Sequence, residues 1–187
     1  MKLAECELES VTAYSQSKHY GVPKLARELD KDYEERTWRE RCHVNEKGNV
    51  MIPPMAFANN VKEAAKFLNL KIPGQRNATY TKHFEAGILV TDPLVLPIKK
   101  DEMRGEWCFV PSTGVRGAGS RVSKCFPLIP SWSGSVFYYI MDDIITEDVF
   151  KQVMDCAGSL IGIGRFRPRN MGYYGRFRVK NVTWADQ

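Results

Sequence analysis

Apolar and polar positions alternate near the start of the chain and recur at helical spacing in two later segments. Within residues 2–13, apolar side chains at positions 4, 6 and 8 alternate with glutamates at 5, 7 and 9, which is typical of a strand with one buried face. Residues 56–68 repeat apolar side chains at 57, 61, 64, 65 and 68, which predicts an amphipathic helix. Residues 146–157 predict a second helix that Thr146 caps and Gly158 ends.

Other segments have the composition of strands, turns or weakly packed helix. The predicted strands are residues 50–52, 84–90, 107–110, 135–141 and 174–182. Residues 93–98 contain prolines and predict an edge strand, and the glycine-containing residues 111–120 predict a hairpin tip with basic flanks. Residues 30–41 are charged almost throughout, so we expect a peripheral helix that packs weakly. The polar face of the helix at 56–68 is expected to carry Asn59, Asn60, Lys62 and Lys66.

The order of these elements is strand, helix, strand, strand, helix, strand, with further strands inserted. That order predicts an α+β fold with a ferredoxin-like (RRM-like) β-α-β-β-α-β core. The insertions follow the first strand and interrupt the middle of the core, at about residues 14–49 and 92–131. A chain of 187 residues lies within the size range of one domain, so we predict a single domain over residues 1–187.

Composition narrows the class of protein. Hydrophobic residues make up 43% of the chain, which is enough for one core. The longest apolar runs fall far short of the roughly 20 residues that span a bilayer, so we expect no membrane helix. Acidic residues at positions 5, 7 and 9 interrupt the stretch where a secretory signal would be apolar. We therefore expect a cytoplasmic protein.

Five cysteines are scattered along the chain without the spacing of a zinc site. They are Cys6, Cys42, Cys108, Cys125 and Cys156. We expect them to be reduced and mostly buried, because free cysteine is among the most buried residue types. The alternative is a cysteine nucleophile paired with His19, His43 or His83. We predict no metal and no cofactor.

Positive charge is concentrated near the end of the chain. The formal net charge is +5. Residues 158–180 contain six basic residues and no acidic one, so the rest of the chain is close to neutral. A segment of this kind favours a partner that carries negative charge, such as nucleic acid.

Three segments carry motifs that follow one another in a fixed order. Residues 11–15 (VTAYS) lead from the first strand into a polar loop. Residues 49–57 (NVMIPPMAF), continuing to 61–65 (VKEAA), contain a strand, an Ile-Pro turn and a helix, and residues 158–166 (GSLIGIGRF), continuing to 172–177 (GYYGRF), contain a glycine-rich loop before the last strand. In this order the segments resemble the first strand, the Ile-Pro turn with the first helix, and the glycine-rich loop of the repeat-associated RNA-binding superfamily, to which the backbone subunits of CRISPR effector complexes belong. The three segments cover under half of the chain.

The resemblance implies a protein that coats single-stranded nucleic acid, with self-association along the strand. Some backbone subunits cut RNA with an acidic residue, but residues 14–21 contain no Asp or Glu, so a cleaving role is not carried over. Lys62 stands where an arginine is common on the helix, which keeps the charge but loses bidentate phosphate geometry. The chain also resembles short stand-alone proteins of phages and prophages, which implies a viral relative in the cytoplasm of its host.

The residue types in the basic segment suit an unpaired nucleic-acid strand. Glycines let the main chain approach phosphates closely, and exposed aromatic rings stack on unpaired bases for about 1–3 kcal/mol each. Arg165, Arg167 and Arg169 lie in the loop with no acidic neighbour to pair with, whereas residues 176–180 alternate and fit a solvated strand face equally well. The predicted binding residues are Arg165, Phe166, Arg167, Arg169, Tyr173, Tyr174, Arg176, Arg116, Arg121, Lys124, Lys18, His19, Lys62, Lys82 and His83.

Two other functions remain open at this stage. One is a metal-independent RNA endonuclease in which His19 or His83 acts as general acid or base. The other is a phage inhibitor that enters a host nucleoprotein complex by mimicking a subunit. No second proton-transfer group is identifiable, so we expect binding rather than catalysis and predict no catalytic residue. The choice between RNA and DNA also stays open, because contact with a 2′-hydroxyl leaves no recognisable motif.

Overall fold

The computed structural model describes residues 1–115, 117 and 119–186, and these form an α+β fold, as predicted. The α-helices are α1 (Asp30–Thr37), α2 (Pro54–Leu68), α3 (Thr81–Gly87) and α4 (Glu147–Cys156). The strands are β1 (Lys2–Ser10), β2 (Tyr14–Ser15), β3 (Asn49–Ile52), β4 (Ile88–Leu89), β5 (Leu94–Lys99), β6 (Arg104–Pro111), β7 (Arg121–Ile129), β8 (Ser133–Ile140) and β9 (Phe177–Asp186). They form sheets in the orders β4-β8-β1-β9, β2-β7-β6 and β3-β5.

The described chain divides into two compact units. The first contains residues 1–14, 52–94 and 130–186, and the second contains Ser15–Met51 and Val95–Ile129. The second unit is thus drawn from the two stretches that the sequence analysis treats as insertions. That the whole chain is a single domain stays a prediction.

The first unit is built on the four-stranded sheet. Strand β1 pairs antiparallel with β8 on one side and β9 on the other, and β4 pairs antiparallel with β8. The alternation predicted for β1 is confirmed, because Ala4, Cys6 and Leu8 are all buried. Phe57 from α2 and Phe150 from α4 are fully buried in the core of the same unit.

Helix α2 begins at Pro54, directly after Pro53, because a proline is favourable in the first turn, where its missing N–H leaves no bond unmade. The apolar stripe faces the core as predicted, but one residue of the polar face is misplaced. Asn60 was expected on the solvent side, and it is fully buried. Its amide makes hydrogen bonds that the periodicity of the helix does not reveal.

Residues 84–90, predicted as a strand, are mostly helix. Helix α3 occupies Thr81–Gly87, and only Ile88–Leu89 are extended. Phe84 is fully buried and anchors the helix. A short apolar run does not by itself distinguish a strand from a buried helical turn.

The end of α4 also differs from the prediction. Thr146 caps the helix as expected, its hydroxyl accepting from the Val149 N–H at 3.5 Å. Gly158 does not end it, because the chain continues as a π-helical turn over Ala157–Ile161. A Cβ at residue 158 would overlap the carbonyl oxygen of Phe177, so glycine is needed for close packing on β9.

The second unit contains the predicted hairpin. Strands β6 and β7 pair antiparallel, with Arg104 opposite Leu128 and Pro111 opposite Arg121. The tip therefore lies between Pro111 and Arg121, as the glycine pattern indicates. Arg116, predicted to bind nucleic acid, lies outside the described residues.

The prediction that residues 30–41 are peripheral and weakly packed is wrong. Glu34 is 1% exposed, and its carboxylate accepts from the Arg41 guanidinium at 2.6 Å and from the Cys125 N–H at 2.8 Å. The ring of Trp38 is also buried. An analysis of apolar periodicity cannot detect a helix that packs through a buried ion pair.

Candidate nucleic-acid interface

The candidate site is the arginine loop, defined as residues 162–176, which joins the π-helical turn to β9 in the first unit. Main-chain hydrogen bonds fold it back on itself. The Ile163 N–H donates to the Gly175 carbonyl at 3.0 Å, and the Tyr174 N–H donates to the Phe166 carbonyl at 3.1 Å. The Gly175 N–H donates to the Ala13 carbonyl at 2.7 Å. The loop therefore presents its side chains from a fixed backbone.

Asn60 ties this loop to α2. Its buried side-chain amide donates to the carbonyl of Ala157 at 2.8 Å and to that of Gly162 at 2.9 Å. Ala157 begins the π-helical turn, and its carbonyl also accepts from the Gly162 N–H at 2.9 Å. Gly162 begins the arginine loop, so the Asn60 amide joins the two ends of the turn to α2. Sequence reasoning missed this positioning residue. An asparagine inside the apolar stripe of a helix was the available signal.

Two glycines permit the tight path of the loop. Gly175 has a φ of +77°, and a Cβ at this position would overlap the carbonyl oxygen of Ile163. A Cβ at residue 172 would overlap the carbonyl oxygen of Phe166. Glycine is required at both positions, because any other side chain would push the two arms of the loop apart.

Replacement of Gly175 by alanine is expected to lower the melting temperature and to reduce nucleic-acid binding together. The matched control is Gly74→Ala, because Gly74 also has positive φ (+76°) but nothing lies near its would-be Cβ. The control carries the backbone penalty alone, about 1 kcal/mol. Thermal unfolding and oligonucleotide binding of both variants provide the measurement. Equal destabilisation in the two variants would contradict the close approach at Ile163.

The expectation that the loop arginines have no acidic neighbour is wrong. Glu63 on α2 accepts from Arg167 Nη2 at 2.7 Å and from Arg169 Nε at 3.2 Å. The signal was invisible in the loop's own sequence, because the carboxylate comes from a distant helix. Because one carboxylate is shared by two guanidiniums, the surface around Glu63, Arg167 and Arg169 keeps an excess of positive charge. Arg165 is partly exposed, and Arg176 donates from Nε to the Ser159 carbonyl at 3.0 Å.

Three predicted aromatic residues pack against one another, with unequal exposure. Phe166 is 39% exposed and Tyr173 is 55% exposed, and their ring centroids lie 5.8 Å apart. Tyr174 is only 6% exposed, so the expectation that its ring is available for stacking is wrong. Its ring packs against that of Tyr173, at a centroid distance of 4.5 Å and an interplanar angle of 55°. Phe166 and Tyr173 are the rings that solvent can reach.

The outer face of α2 continues the basic surface of the arginine loop. Lys62 is partly exposed and Lys66 is exposed, and they are four residues apart on one side of the helix. They line an open cleft, here called the α2 cleft, together with Glu63, Phe67, Glu85 and Arg169. Sequence reasoning missed Phe67, an aromatic residue 49% exposed on the solvent side of an otherwise ordinary helix.

Elsewhere in the first unit, His83 forms a close pair with a carboxylate. Its Nδ1 lies 2.7 Å from Asp142 Oδ2, and both side chains are about a quarter exposed. The hydrogen bond from His83 is the main cause that lowers the pKa of Asp142 from its ordinary value. Lys82, the neighbouring predicted residue, is exposed on α3.

The remaining predicted residues belong to the second unit. Lys18 and His19 are exposed, and Arg121 is exposed at the start of β7. Lys124 has a different role, because its Nζ lies 3.1 Å from Glu34 Oε2 and completes the buried pair with Arg41. Its ammonium group is therefore already paired, although the side chain is 35% exposed.

The cysteines have the environment of structural thiols. Four are buried, and Cys108 is partly buried. Burial raises the pKa of Cys6 to about 12 and that of Cys42 and Cys125 to about 11. A nucleophilic cysteine requires the opposite shift, so these three are poor candidates for covalent catalysis.

The described residues contain neither a cluster of metal ligands nor a membrane-spanning helix. No group of three or more His, Cys, Asp or Glu side chains among them is arranged to hold a metal ion. Within the same residues, no helix has the length and apolar character needed to cross a membrane.

Comparisons with known proteins give structural likenesses but no match in sequence. No protein-family model matches the chain, and no curated protein matches it in sequence. The chain is similar to a chain in the cryo-EM structure of the Type III-B Cmr-beta bound to cognate target RNA, with a TM-score of 0.49 and 13% sequence identity. The match covers 98% of this chain and 60% of that one, so this chain spans about three fifths of the length of its counterpart. At this identity and TM-score the likeness carries no information about function.

Proposed function

We propose that this protein binds single-stranded RNA or DNA through the arginine loop, largely without sequence preference and without cleaving it. The observation that carries the proposal is the pairing of exposed rings with excess cations on one fixed loop. Phe166 and Tyr173 are open to solvent, and they alternate along the loop with Arg165, Arg167, Arg169 and Arg176. Rings of this kind stack on bases only when the bases are unpaired, so the site favours single strands over duplex.

Phosphate can compete for the paired arginines. The ion pairs of Arg167 and Arg169 with Glu63 are partly exposed to solvent, and such pairs contribute about 0–1 kcal/mol. A phosphate contact releases condensed counterions from the strand, which favours exchange of partners at low salt. The ion pairs with Glu63 therefore lower the affinity of the loop for phosphate but do not prevent phosphate from binding.

We further propose that the first unit is ferredoxin-like and that the chain is a relative of the repeat-associated RNA-binding superfamily. In core order the strands are β1, β4, β8 and β9, and the sheet places β8 between β4 and β1. A sheet in which the third core strand separates the first from the second is what a split β-α-β unit produces. The motif resemblance of residues 49–65 and 158–177 supports the same assignment. From this relationship we also propose that several copies of the protein coat one nucleic-acid strand.

The test is a binding titration against single-stranded and duplex oligonucleotides at several salt concentrations. We expect oligo-uridine and oligo-thymidine to bind more tightly than duplex of equal length, with log K falling linearly in log salt. Comparison of the two strands shows whether a 2′-hydroxyl matters. Absence of binding at low salt would refute the proposed function.

A metal-independent endonuclease is the second candidate, and the pair of His83 with Asp142 favours it. A carboxylate at 2.7 Å from Nδ1 fixes the ring of His83 and can leave Nε2 to exchange a proton with a substrate hydroxyl. His19, the other histidine considered, is exposed on a loop of the second unit.

The endonuclease candidate predicts cleavage products in the presence of a chelator. We expect them to disappear in His83→Ala and to decrease, with an altered pH profile, in Asp142→Asn. The control that should leave cleavage unchanged is His43→Gln, at a histidine of the second unit that neither proposed function uses. Loss of cleavage in His19→Ala in place of His83→Ala would assign the proton transfer to His19. Intact RNA after prolonged incubation with the wild-type protein would exclude this candidate and leave the binding function untouched.

A further inference from the structure

The α2 cleft has features that the arginine loop alone does not explain. It has a volume of about 660 Å³, which lies within the range of roughly 300–1,000 Å³ found for small-molecule sites. Its lining combines the exposed ring of Phe67 with three cations, from Lys62, Lys66 and Arg169. A cleft that joins an aromatic face to several cations suits a ligand with both a planar ring and a phosphate.

Phe67 provides the planar surface. It is 49% exposed, and the guanidinium carbon of Arg169 lies 5.7 Å from the centre of its ring. A guanidinium over an aromatic face is held by the ring quadrupole and by stacking. A nucleic-acid base also stacks on such a face. Arg169 therefore covers the surface that an unpaired base would use.

The cations of the cleft are only partly neutralised. Lys62 and Lys66 project from the same side of α2, and Glu63 is shared between Arg167 and Arg169. Glu85 supplies a second carboxylate to the lining. Release of Arg169 from Glu63 would place a third cation, with bidentate donors, beside the two lysines.

We propose that the α2 cleft binds one unpaired nucleotide of a strand held by the arginine loop. The base stacks on Phe67 in the place of the Arg169 guanidinium, and the phosphate lies among Lys62, Lys66 and the released Arg169. Glu63 is the internal competitor that the phosphate displaces. This proposal rests on the proposed function, because it requires the strand to be bound by the loop.

The competition by Glu63 has a physical consequence for selectivity. A ligand that offers only negative charge must break the ion pair of Arg169 and gains no stacking in return. A ligand that offers only an apolar ring must displace the guanidinium and gains no phosphate contact. A nucleotide in a single strand satisfies both surfaces at once, whereas duplex conceals the faces of its bases.

The experiment measures oligonucleotide affinity by fluorescence anisotropy for the wild type and two pairs of matched variants. Phe67→Ala is expected to weaken single-strand binding by at least about fivefold, because one stacked base is lost. Phe67→Leu keeps an apolar side chain without the aromatic face, so it should show most of the same loss if stacking is responsible. Phe67 is half exposed, and its replacement is expected to leave the fold intact, which circular dichroism verifies.

Glu63→Gln is expected to strengthen binding by about three- to tenfold, since two arginines lose their competitor. Its control is Glu85→Gln, which removes the same charge from the cleft. Equal gains in the two glutamine variants would overturn the role of Glu63 as competitor, because they would reflect net charge alone.

The outcomes separate this proposal from the proposed function. If the wild type binds single strands and both Phe67 variants bind equally well, the cleft proposal fails and binding by the loop stands. If the wild type binds no single strand at low salt, both proposals fail. If Phe67→Ala and Phe67→Leu weaken binding together and Glu63→Gln alone strengthens it, the cleft is established as a nucleotide site.

Discussion

Replacement of Arg165, Arg167 and Arg169 together by alanine is expected to weaken single-strand binding by about 100-fold at 0.1 M salt. Each phosphate contact to a single strand contributes about 0.7 to the salt exponent, so three lost contacts lower the exponent by about 2. Between 1 M and 0.1 M salt, an exponent of about 2 corresponds to about 100-fold in affinity. The plot of log K against log salt should flatten by the same amount.

The control for this triple variant is Lys151, Arg178 and Lys180 replaced together by alanine. This control variant loses the same charge from the same unit. In the wild type each of its three residues is paired with a carboxylate, as Arg167 and Arg169 are. We expect the control to bind within about threefold of the wild type. An equal loss in both triple variants would mean that the strand is attracted by net charge and does not use the arginine loop.

The partner of these arginines could not be predicted from the chain. Arg169 and Glu63 are separated by 106 residues, and nothing in the glycine-rich segment indicates which helix face it meets. The presence of basic and aromatic residues in the loop was visible, because composition is local. Whether these basic residues are paired with carboxylates could not be predicted, because that pairing depends on tertiary contacts.

The exposure of side chains within the arginine loop could not be predicted from the local sequence either. Tyr173 and Tyr174 are neighbours of the same type, yet one is half exposed and the other is buried. In a strand or helix the period assigns such neighbours to different faces. An irregular loop has no period, so the sequence offered no basis for choosing between them.

Elements with strong periodicity were predictable, and those defined by polar interiors were not. The alternation of β1 and the stripe of α2 identified both elements, since burial of apolar area dominates their formation. Helix α1 has no apolar stripe, and its inward face carries Glu34. Its packing is electrostatic, and hydrophobic pattern analysis assigns such a helix to the surface.

Arg41→Met is accordingly expected to lower the free energy of unfolding by about 3 kcal/mol, the lower end of the cost of breaking a buried ion pair, because Lys124 and the Cys125 N–H still contact the Glu34 carboxylate. Methionine preserves much of the volume between the rings of Tyr20 and Phe126, which lie 5.1 Å and 5.2 Å from the guanidinium. The variant therefore removes the charge more than the packing. Urea unfolding provides the measurement, with Lys31→Ala as control. Lys31 pairs with Glu35 on the exposed side of the same helix, and its loss should cost at most about 0.5 kcal/mol.

The pH dependence distinguishes loss of the ion pair from loss of packing. Burial raises the pKa of Glu34, but hydrogen bonds from the Cys125 N–H, Arg41 and Lys124 outweigh it, and the net pKa lies below the ordinary value. A carboxylate with a lowered folded-state pKa stabilises the fold above its unfolded pKa of about 4.3 and loses that contribution as the pH falls through the folded value. The difference between wild type and Arg41→Met should therefore be full at neutral pH and narrow below about pH 4, where the carboxyl of Glu34 becomes protonated. A difference that stays constant to pH 2 would mean that Arg41 acts through its packing on Tyr20 and Phe126, and that the charge on Glu34 contributes little to the stability of this unit.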